Sequence, residues 1–477
     1  MEYQYLQLAN DLELKIRSGN YRAGEKLPSL RTQRLRTGRS ISTVYQAYNE
    51  LEDRGVVEVR EKSGFYVKPL LDKVLPRPLS DRRTIEPLKV TTNTHAMILQ
   101  EYINNPEMLP LGTAIPAPEL LPLKQLGREL RQAAAGYTTG AMIGYGHPTG
   151  VPELRSELAK RSVGYFSKER GEELIVTDGC LAAIDLCLRA IAGEGDVILI
   201  ESPTFLCYLQ LIEDLKMRAL EIPVDPDSGF DLDMVEKALD EHDVKGALVN
   251  GNFHNPLGYV LQTKMKERLV EMLGKREIPL IEDDIYGDLH FSETRPVPLK
   301  SFDTKGLVLY CSSFTKSLAP DLRIGWTMPG RFKERIKRIK FNRSVACSQL
   351  NQVVAARFLA SGAHDRHLRR MRNSLKKQAA NLVMGIARYF PPGTRVSSPK
   401  GGLTLWVELD KRVDGLKLFD RAAKENIAII PGSLCTVTGR YNHCLRLNFG
   451  YPWDDRMEHG IERLGHLIDE MIAENSG

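Results

Sequence analysis

Residues 312–326 read SSFTKSLAPDLRIGW and set a lysine among anion-binding groups. Lys316 follows LVLYC, an apolar strand pattern, so it falls in the loop beyond a strand's carboxyl end, where open α/β sheets gather their ligands. A lysine in such a place becomes a Schiff-base nucleophile once burial or a cationic neighbour lowers its pKa. Ser313, three residues earlier, and Arg323, seven later, add hydroxyl and two-pronged donors suited to a phosphate dianion. Alone, such a lysine would be read as a surface residue. In this company it points to an aldehyde that also bears a phosphate.

Other strand ends carry groups that suit a flat, ring-shaped ligand. In IEDDIYGDL, after the strand pattern IPLIE, Asp283 can keep a ring nitrogen protonated or simply cap a helix, and Tyr286 can bond a phenolate oxygen. In NGNFHNPLG, Pro256 pushes the residue before it into an extended conformation, which fixes the direction of Asn255 or makes an ordinary turn. VTDGCLAAIDL reads as strand, tight glycine turn and helix start. The free amides of Cys180 and Leu181 there can hold a phosphate. Phe205 in ESPTF, just past the strand DVILI, can stack on a flat ring or fill a core.

The elements around these motifs divide the chain. At 477 residues a small domain attached to a large one is expected. The net charge of +5 is modest, but Lys15, Arg17, Arg22, Lys26, Arg31, Arg34, Arg36 and Arg39 stand against Glu25 alone. Over residues 1–69, YQYLQLANDLELKIRSG places Tyr5, Leu8, Leu12 and Ile16 on one helical face. GEKLPSLRTQRLR starts a second helix at Ser29, and GRSISTVYQAYNELEDRG a third with Val44, Ala47, Tyr48 and Leu51 inward. VVEVREKSGFYVKP then turns as a hairpin, which completes the outline of a winged helix. Four prolines from Pro69 to Pro87 mark a linker, set at 70–95. Over 96–477 strands such as ELIVT, DVILI, GALVN, IPLIE and LVLYC alternate with helical patterns. This gives an α/β body with a mainly parallel sheet, and GGLTLWVEL, NIAIIPG and HCLRLNFG give a smaller α+β subdomain over about 385–477.

Seven cysteines without a C-x-x-C pair form neither a disulfide framework nor a zinc site. His364 and His367 have no carboxylate or cysteine cluster to complete a metal site and are expected at the surface; no metal is expected. The opening MEYQYLQLANDLELK is acidic and mixed, and no apolar run reaches the ~18 residues that span a bilayer, so a cytoplasmic protein is expected.

From about residue 97 onward these segments, in this order, resemble the fold-type I aminotransferases that use pyridoxal 5'-phosphate. The resemblance implies that Lys316 forms the aldimine, Asp283 partners the pyridine nitrogen, and Tyr286 and Asn255 donate to the ring oxygen. It makes Phe205 the stacking ring, and Ser313, Arg323 and the amides of Cys180 and Leu181 the phosphate cradle. It makes Tyr145, in GYGHPTGVPELR, a residue that reaches the phosphate of a neighbouring subunit, and Arg446, in CLRLNFG, the grip on a substrate carboxylate. Cys180 and Leu181 depart from the small or polar residues usual in that turn, and Leu257 from the usual threonine.

Residues 1–69 resemble the winged helix-turn-helix of the GntR group, through PSLR, SISTVYQAYNELEDRG and KSGFYV. Ser42, Thr43 and Gln46 are then candidates for base edges, Arg31 and Arg39 for guanine or phosphate, and Lys62 for the wing tip. Relatives often carry arginines on the third helix where Ile41 and Tyr45 stand here. The two bodies together resemble the MocR subgroup of GntR regulators, described as cofactor-carrying, head-to-tail dimeric transcription factors. That implies a DNA-binding regulator that senses pyridoxal phosphate or an amine reacting with it. A working aminotransferase with an accessory DNA-binding module is the alternative, and a body that serves only to dimerise is a third reading.

Overall fold

In the computed structural model of the chain, residues 3–60, 63–69, 74–79, 85–91, 105–138, 144–162 and 173–475 are described. The amino-terminal head consists of α1 (Gln4–Arg17), α2 (Leu30–Thr37), α3 (Ile41–Asp53), β1 (Val57–Arg60) and β2 (Gly64–Val67). Leu8, Leu12 and Ile16 of α1 meet Val44, Ala47, Tyr48 and Leu51 of α3, and Val57 and Val67 of the hairpin close the cluster. Those positions recur at helical spacing, so burying them fixes how each helix is turned. Ser29 and Ser40 cap α2 and α3, each Oγ accepting a backbone N–H at 3.1 Å, from Thr32 and Thr43. Between them Gly38 takes a left-handed φ of 68°, which ends α2 and lets α3 begin at once. Lys62, the expected wing-tip residue, lies outside the described residues.

The body is built on β3 (Pro87–Lys89), β4 (Ile175–Thr177), β5 (Val197–Ser202), β6 (Arg218–Asp225), β7 (Gly229–Phe230), β8 (Val244–Val249), β9 (Leu280–Asp283), β10 (Val308–Ser313) and β11 (Gly325–Met328). They form one sheet in the order β3-β6-β5-β8-β9-β10-β11-β4, with β7 on β6. The run from β6 to β10 is parallel; β3 and β11 join antiparallel. β11 is not among the strands legible in the sequence. It lies between β10 and β4, so the ELIVT strand runs in the same sense as the central strands without touching them. Every residue of β5, β9 and β10 is buried, as expected of strands covered on both faces. The polar residues at their carboxyl ends are therefore inside the protein.

A second, four-stranded antiparallel sheet is ordered β12 (Arg395–Val396), β13 (Thr404–Glu408), β15 (Cys444–Asn448), β14 (Ile430–Pro431). Four helices of the body bear on the site or the head: α4 (Cys180–Ile191), α5 (Leu206–Asp214), α6 (Ala363–Tyr389) and α7 (Asp455–Glu474). Among the described residues no helix is long and apolar enough to cross a membrane.

Two expectations change. The stretch read as a linker is pinned to the body in its described parts: Leu79 N donates to Glu408 Oε2 at 2.7 Å, Val396 N to Pro76 O at 2.9 Å, and Pro87–Lys89 is the strand β3 at the edge of the sheet. Edges are where a sheet tolerates proline. His364 and His367 are not at the surface but buried, at 0% and 3% exposure. The first turns of α6 press against the loop after β10, where the His364 ring meets the edges of Phe314 and Phe358 at 5.9 and 6.1 Å, and His367 Nε2 lies 2.8 Å from the Ser317 carbonyl. Burial pushes the His364 pKa down to about 3 and lowers that of His367.

The head rests on the carboxy-terminal part of its own chain. Arg22 reaches Glu458 of α7 at 2.6 Å, the Ala23 N–H donates to Asn381 Oδ1 of α6 at 2.7 Å, and Ala23 is buried with Ala380 and Met384 of α6. A half-exposed ion pair of this kind is worth only about 0–1 kcal/mol, so the apolar seat and the backbone bond set the position.

Candidate functional site

β9 ends in Asp283, and three donors converge on its carboxylate. Tyr208 Oη donates to Oδ2 at 2.5 Å, while the Ile285 N–H and Cys180 Sγ donate to Oδ1 at 3.0 and 3.3 Å. Burial raises the Asp283 pKa, and the hydrogen bonds oppose that by favouring the ionised form. Asn250 holds the strand end from behind, its Nδ2 donating to the Asp283 carbonyl at 2.6 Å and its Oδ1 accepting the Asn255 N–H at 2.8 Å. Asn255 in turn accepts from Arg446 Nη1 at 3.3 Å and approaches Tyr286 Oη at 3.5 Å. One chain of contacts thus runs from Asp283 to Arg446.

Lys316 stands beside this chain, in the loop after β10. Burial, and next the charge of Arg446, lower its pKa to about 8, against the pull of Cys207, Asp283 and Cys180. No hydrogen bond ties down its amine among the described residues. Arg446 points inward from β15 and is 3% exposed. Its Nη2 donates to the Gly112 carbonyl at 2.6 Å, its Nε has no partner among the described residues, and no carboxylate pairs with it there. A buried guanidinium without a counter-ion is costly, and that cost is recovered when an anion arrives.

The anion-binding end lies at the start of α4. Gly179 has φ 94°, and after it the first amides of the helix, at Cys180 and Leu181, have no partner within the helix. Arg323 adopts a left-handed φ of 50° and donates to the Asp178 carbonyl at 2.8 Å, which lays its guanidinium on Gly179. A Cβ at Gly179 would fall 2.6 Å from Arg323 Nη2, and one at Gly325 would fall 2.3 Å from the Gly179 carbonyl carbon. Only glycine at both positions lets turn, arginine and β11 meet. Ser313 closes the group at the end of β10, buried, its Oγ accepting the Thr315 N–H at 3.3 Å.

The structure therefore brings together Lys316, Asp283, Tyr286, Asn255 and Arg446, and places Ser313, Arg323, Cys180 and Leu181 at a turn of their own. Phe205 caps α5 half-buried, its ring edge-on to Tyr208 at 5.4 Å. Tyr145 stands apart, 90% exposed and without a hydrogen bond among the described residues. Sequence reasoning missed Tyr208 and Asn250, and it missed that the Cys180 side chain turns to Asp283. Tyr208 lies three residues after Phe205, one helical turn along, which was the available signal. Glu201, which ends the apolar run DVILI, was also missed; it accepts from Asn250 N at 2.8 Å and Tyr259 Oη at 2.7 Å, and burial pushes its pKa up to about 7.

On the head, the candidates for DNA contact separate. Arg39 donates to the Gln4 carbonyl at 2.9 Å and reaches Gln7, so it braces α3 against α1. Ser42 Oγ and Thr43 Oγ1 both lie 2.8 Å from Ser40 Oγ within the cap. Arg31 and Gln46 are exposed.

A family model described as aminotransferase class I and II matches residues 89–464, and one described as bacterial regulatory proteins, gntR family, matches residues 4–67. The chain belongs to the class I and II aminotransferases, with a gntR-family domain in front. This is the MocR arrangement, and it extends over whole relatives. The HTH-type transcriptional regulator YdcR of Escherichia coli is 34% identical over 469 residues, covering 98% of this chain and 100% of that protein. The aromatic-amino-acid aminotransferase 1 of Thermococcus litoralis is 27% identical over 384 residues, covering 78% of this chain and 90% of that one. Among solved structures, LysN from Thermus thermophilus, an α-aminoadipate aminotransferase complexed with N-(5'-phosphopyridoxyl)-L-leucine, superposes with a TM-score of 0.73 at 26% identity, covering 81% of this chain and 97% of that one. The donor set of this MocR-type chain fits pyridoxal phosphate: an amine, an acid for the ring nitrogen, two polar groups for the ring oxygen, and a glycine-built anion cradle.

Proposed function

We propose that this protein is a cytoplasmic, DNA-binding transcriptional regulator whose body holds pyridoxal phosphate on Lys316 and responds to an amino compound. The observation that carries this reading is the buried Arg446 guanidinium, unpaired by any carboxylate among the described residues, beside an amine held near pKa 8 in a chain with a gntR-family head. When bound, pyridoxal phosphate supplies an aldehyde that amines capture reversibly and a ring that draws electrons from them. Lys316 is the amine placed to hold it. Asp283, whose carboxylate accepts from Tyr208, Cys180 and the Ile285 amide, would keep a proton on the ring nitrogen, while Asn255 and Tyr286 would face the ring oxygen. Ser313, Arg323 and the Cys180 and Leu181 amides would hold the phosphate, and Phe205 would lie against the ring. Arg446 would hold the carboxylate of an incoming amino acid. For DNA to respond, that ligand must favour one arrangement of the heads over another. The 90% exposure of Tyr145 suits a residue that acts in a neighbouring subunit, so a head-to-tail homodimer belongs to the same reading.

Electrophoretic shifts of the full-length protein on its own promoter test this. Binding should weaken steeply with added salt, because phosphate neutralisation dominates affinity, and should change when the cofactor is removed. Insensitivity to both would sink the regulator reading. A second reading, a working aminotransferase with an accessory DNA-binding module, is favoured by the complete set of cofactor-facing groups. Steady turnover of an amino acid with a keto acid would establish it.

The Lys316 pKa of about 8 also predicts the pH dependence of loading. Only the unprotonated amine attacks an aldehyde, so the rate at which the cofactor-free protein takes up pyridoxal phosphate should rise about tenfold per pH unit below pH 8 and level off above it. Stopped-flow absorbance across that range measures it; a flat profile would mean that another step, or another amine, sets the rate.

A further inference from the structure

The outward face of α3 has a charge pattern that matches a DNA major groove. From Ser40 to Asn49 the chain has no charged side chain. Within that stretch Ile41 and Tyr45, one helical turn apart, are 41% and 50% exposed, while Val44, Ala47 and Tyr48 on the other face are fully buried and hold the helix in rotation. The Tyr45 ring is steadied edge-on by Phe65 of the wing, with centroids 6.5 Å apart. Beside this neutral strip, Arg31, Arg34 and Arg36 of α2 are exposed and have no acidic partner among the described residues. Phosphates line the rims of the groove and base edges form its floor, so cations belong at the side and neutral groups in the middle. The apolar group on that floor is the thymine methyl.

We propose that Ile41 and Tyr45 read the methyl groups of two thymines in the major groove. This rests on the DNA-binding reading above and specifies what that surface recognises. One helical turn rises about 5.4 Å against about 3.4 Å per base-pair step, so the two thymines belong to adjacent or next-but-one base pairs. Ser42 and Thr43 are engaged in the Ser40 cap, which leaves the Gln46 amide, with the Tyr45 hydroxyl, exposed for hydrogen bonding on this face. Glutamine pairs with the N6 and N7 edge of adenine, and an A·T pair offers that edge and a methyl together.

The experiment uses the full-length protein loaded with pyridoxal phosphate. It is first used to select a duplex from a random pool, and the selected duplex is then resynthesised with deoxyuridine replacing thymidine at one position at a time. The expected result is about a fourfold loss of affinity at each of two nearby positions, the effect of removing one buried methyl. Ile41→Ala should abolish the penalty at one of them and Tyr45→Ala at the other, with the salt dependence unchanged in both. Uracil tolerated everywhere on a duplex that still binds with a steep salt slope would overturn the thymine reading and leave DNA binding standing. A penalty that persists in both variants would also overturn it, because the methyls would then be read by other residues. If no duplex is retained at low salt, the DNA-binding reading itself falls and takes this one with it.

Discussion

Lys316→Ala protein mixed with pyridoxal phosphate is expected to gain no imine absorbance and to carry no added mass on this site after borohydride reduction, whereas the parent protein should do both. Other lysines are buried: the amines of Lys266 and Lys300 are occupied, while that of Lys340 has no hydrogen-bond partner among the described residues. Lys266, with its pKa also lowered to about 8, donates to Asn252 Oδ1 at 2.5 Å and to the Val297 carbonyl at 2.7 Å; Lys300 donates to Asp303 and the Val308 carbonyl. Among the described residues only Lys316 combines a lowered pKa with an amine free of hydrogen bonds, beside the acid at the end of β9. Mapping the reduced protein by mass decides between them. An adduct on Lys266 or Lys300, or equal colour in parent and variant, would remove Lys316 from the centre of the site.

Arg446→Ala should still take up cofactor, more slowly at neutral pH because the Lys316 amine loses the guanidinium charge that lowers its pKa, but should weaken the response to amino acids by about 2–5 kcal/mol, roughly thirty- to several-thousandfold, the usual consequence of removing one partner of a buried charge pair. Arg446→Lys should recover little of this. A point charge cannot reproduce the fork that serves Gly112, Asn255 and a carboxylate at once. The spectral change on titrating amino acids into the loaded protein measures the affinity, and amines lacking a carboxylate are the control. They should bind parent and Arg446→Ala protein alike. The amine control separates this role from a structural one, because Arg446→Ala also removes the bonds to Gly112 and Asn255 and a general loosening of the site would weaken both kinds of ligand. Unchanged amino-acid affinity in Arg446→Ala would assign the carboxylate to another group.

What the sequence made legible follows a physical rule. Lys316, Asp283 and Asn255 were readable because each lies at the carboxyl end of an apolar strand or in the loop after it, where a polar residue has a local meaning. The head was readable because its core repeats at helical spacing and its caps, Ser29 and Ser40, lie next to the helices they start. Contacts made across the fold were not readable. That Tyr208 and Cys180 both turn to Asp283 depends on α4 and α5 packing against β9, residues 75 and 103 positions distant. His364 and His367 showed a helical face, but nothing local told that Phe314, Phe358 and Ser317 would cover it. The proline stretch reads as a spacer because proline disfavours interior strands, and the edge of a sheet is the exception.

α6 touches both ends of the molecule's business. His367, near its start, bonds the carbonyl of Ser317, the residue next to Lys316; fourteen residues on, Asn381 holds the backbone of Ala23 in the head. At about 1.5 Å per residue that separation is roughly 21 Å of unbroken helix. The pocket and the promoter-facing module therefore share one stiff rod, and a shove at Ser317 need not find its way through a soft interior to be felt at Ala23. Nor does the head hang from a swivel: with the Ala23 amide held by Asn381 and its side chain seated on Ala380 and Met384, any tilt of that rod is inherited by the residues that would face a duplex.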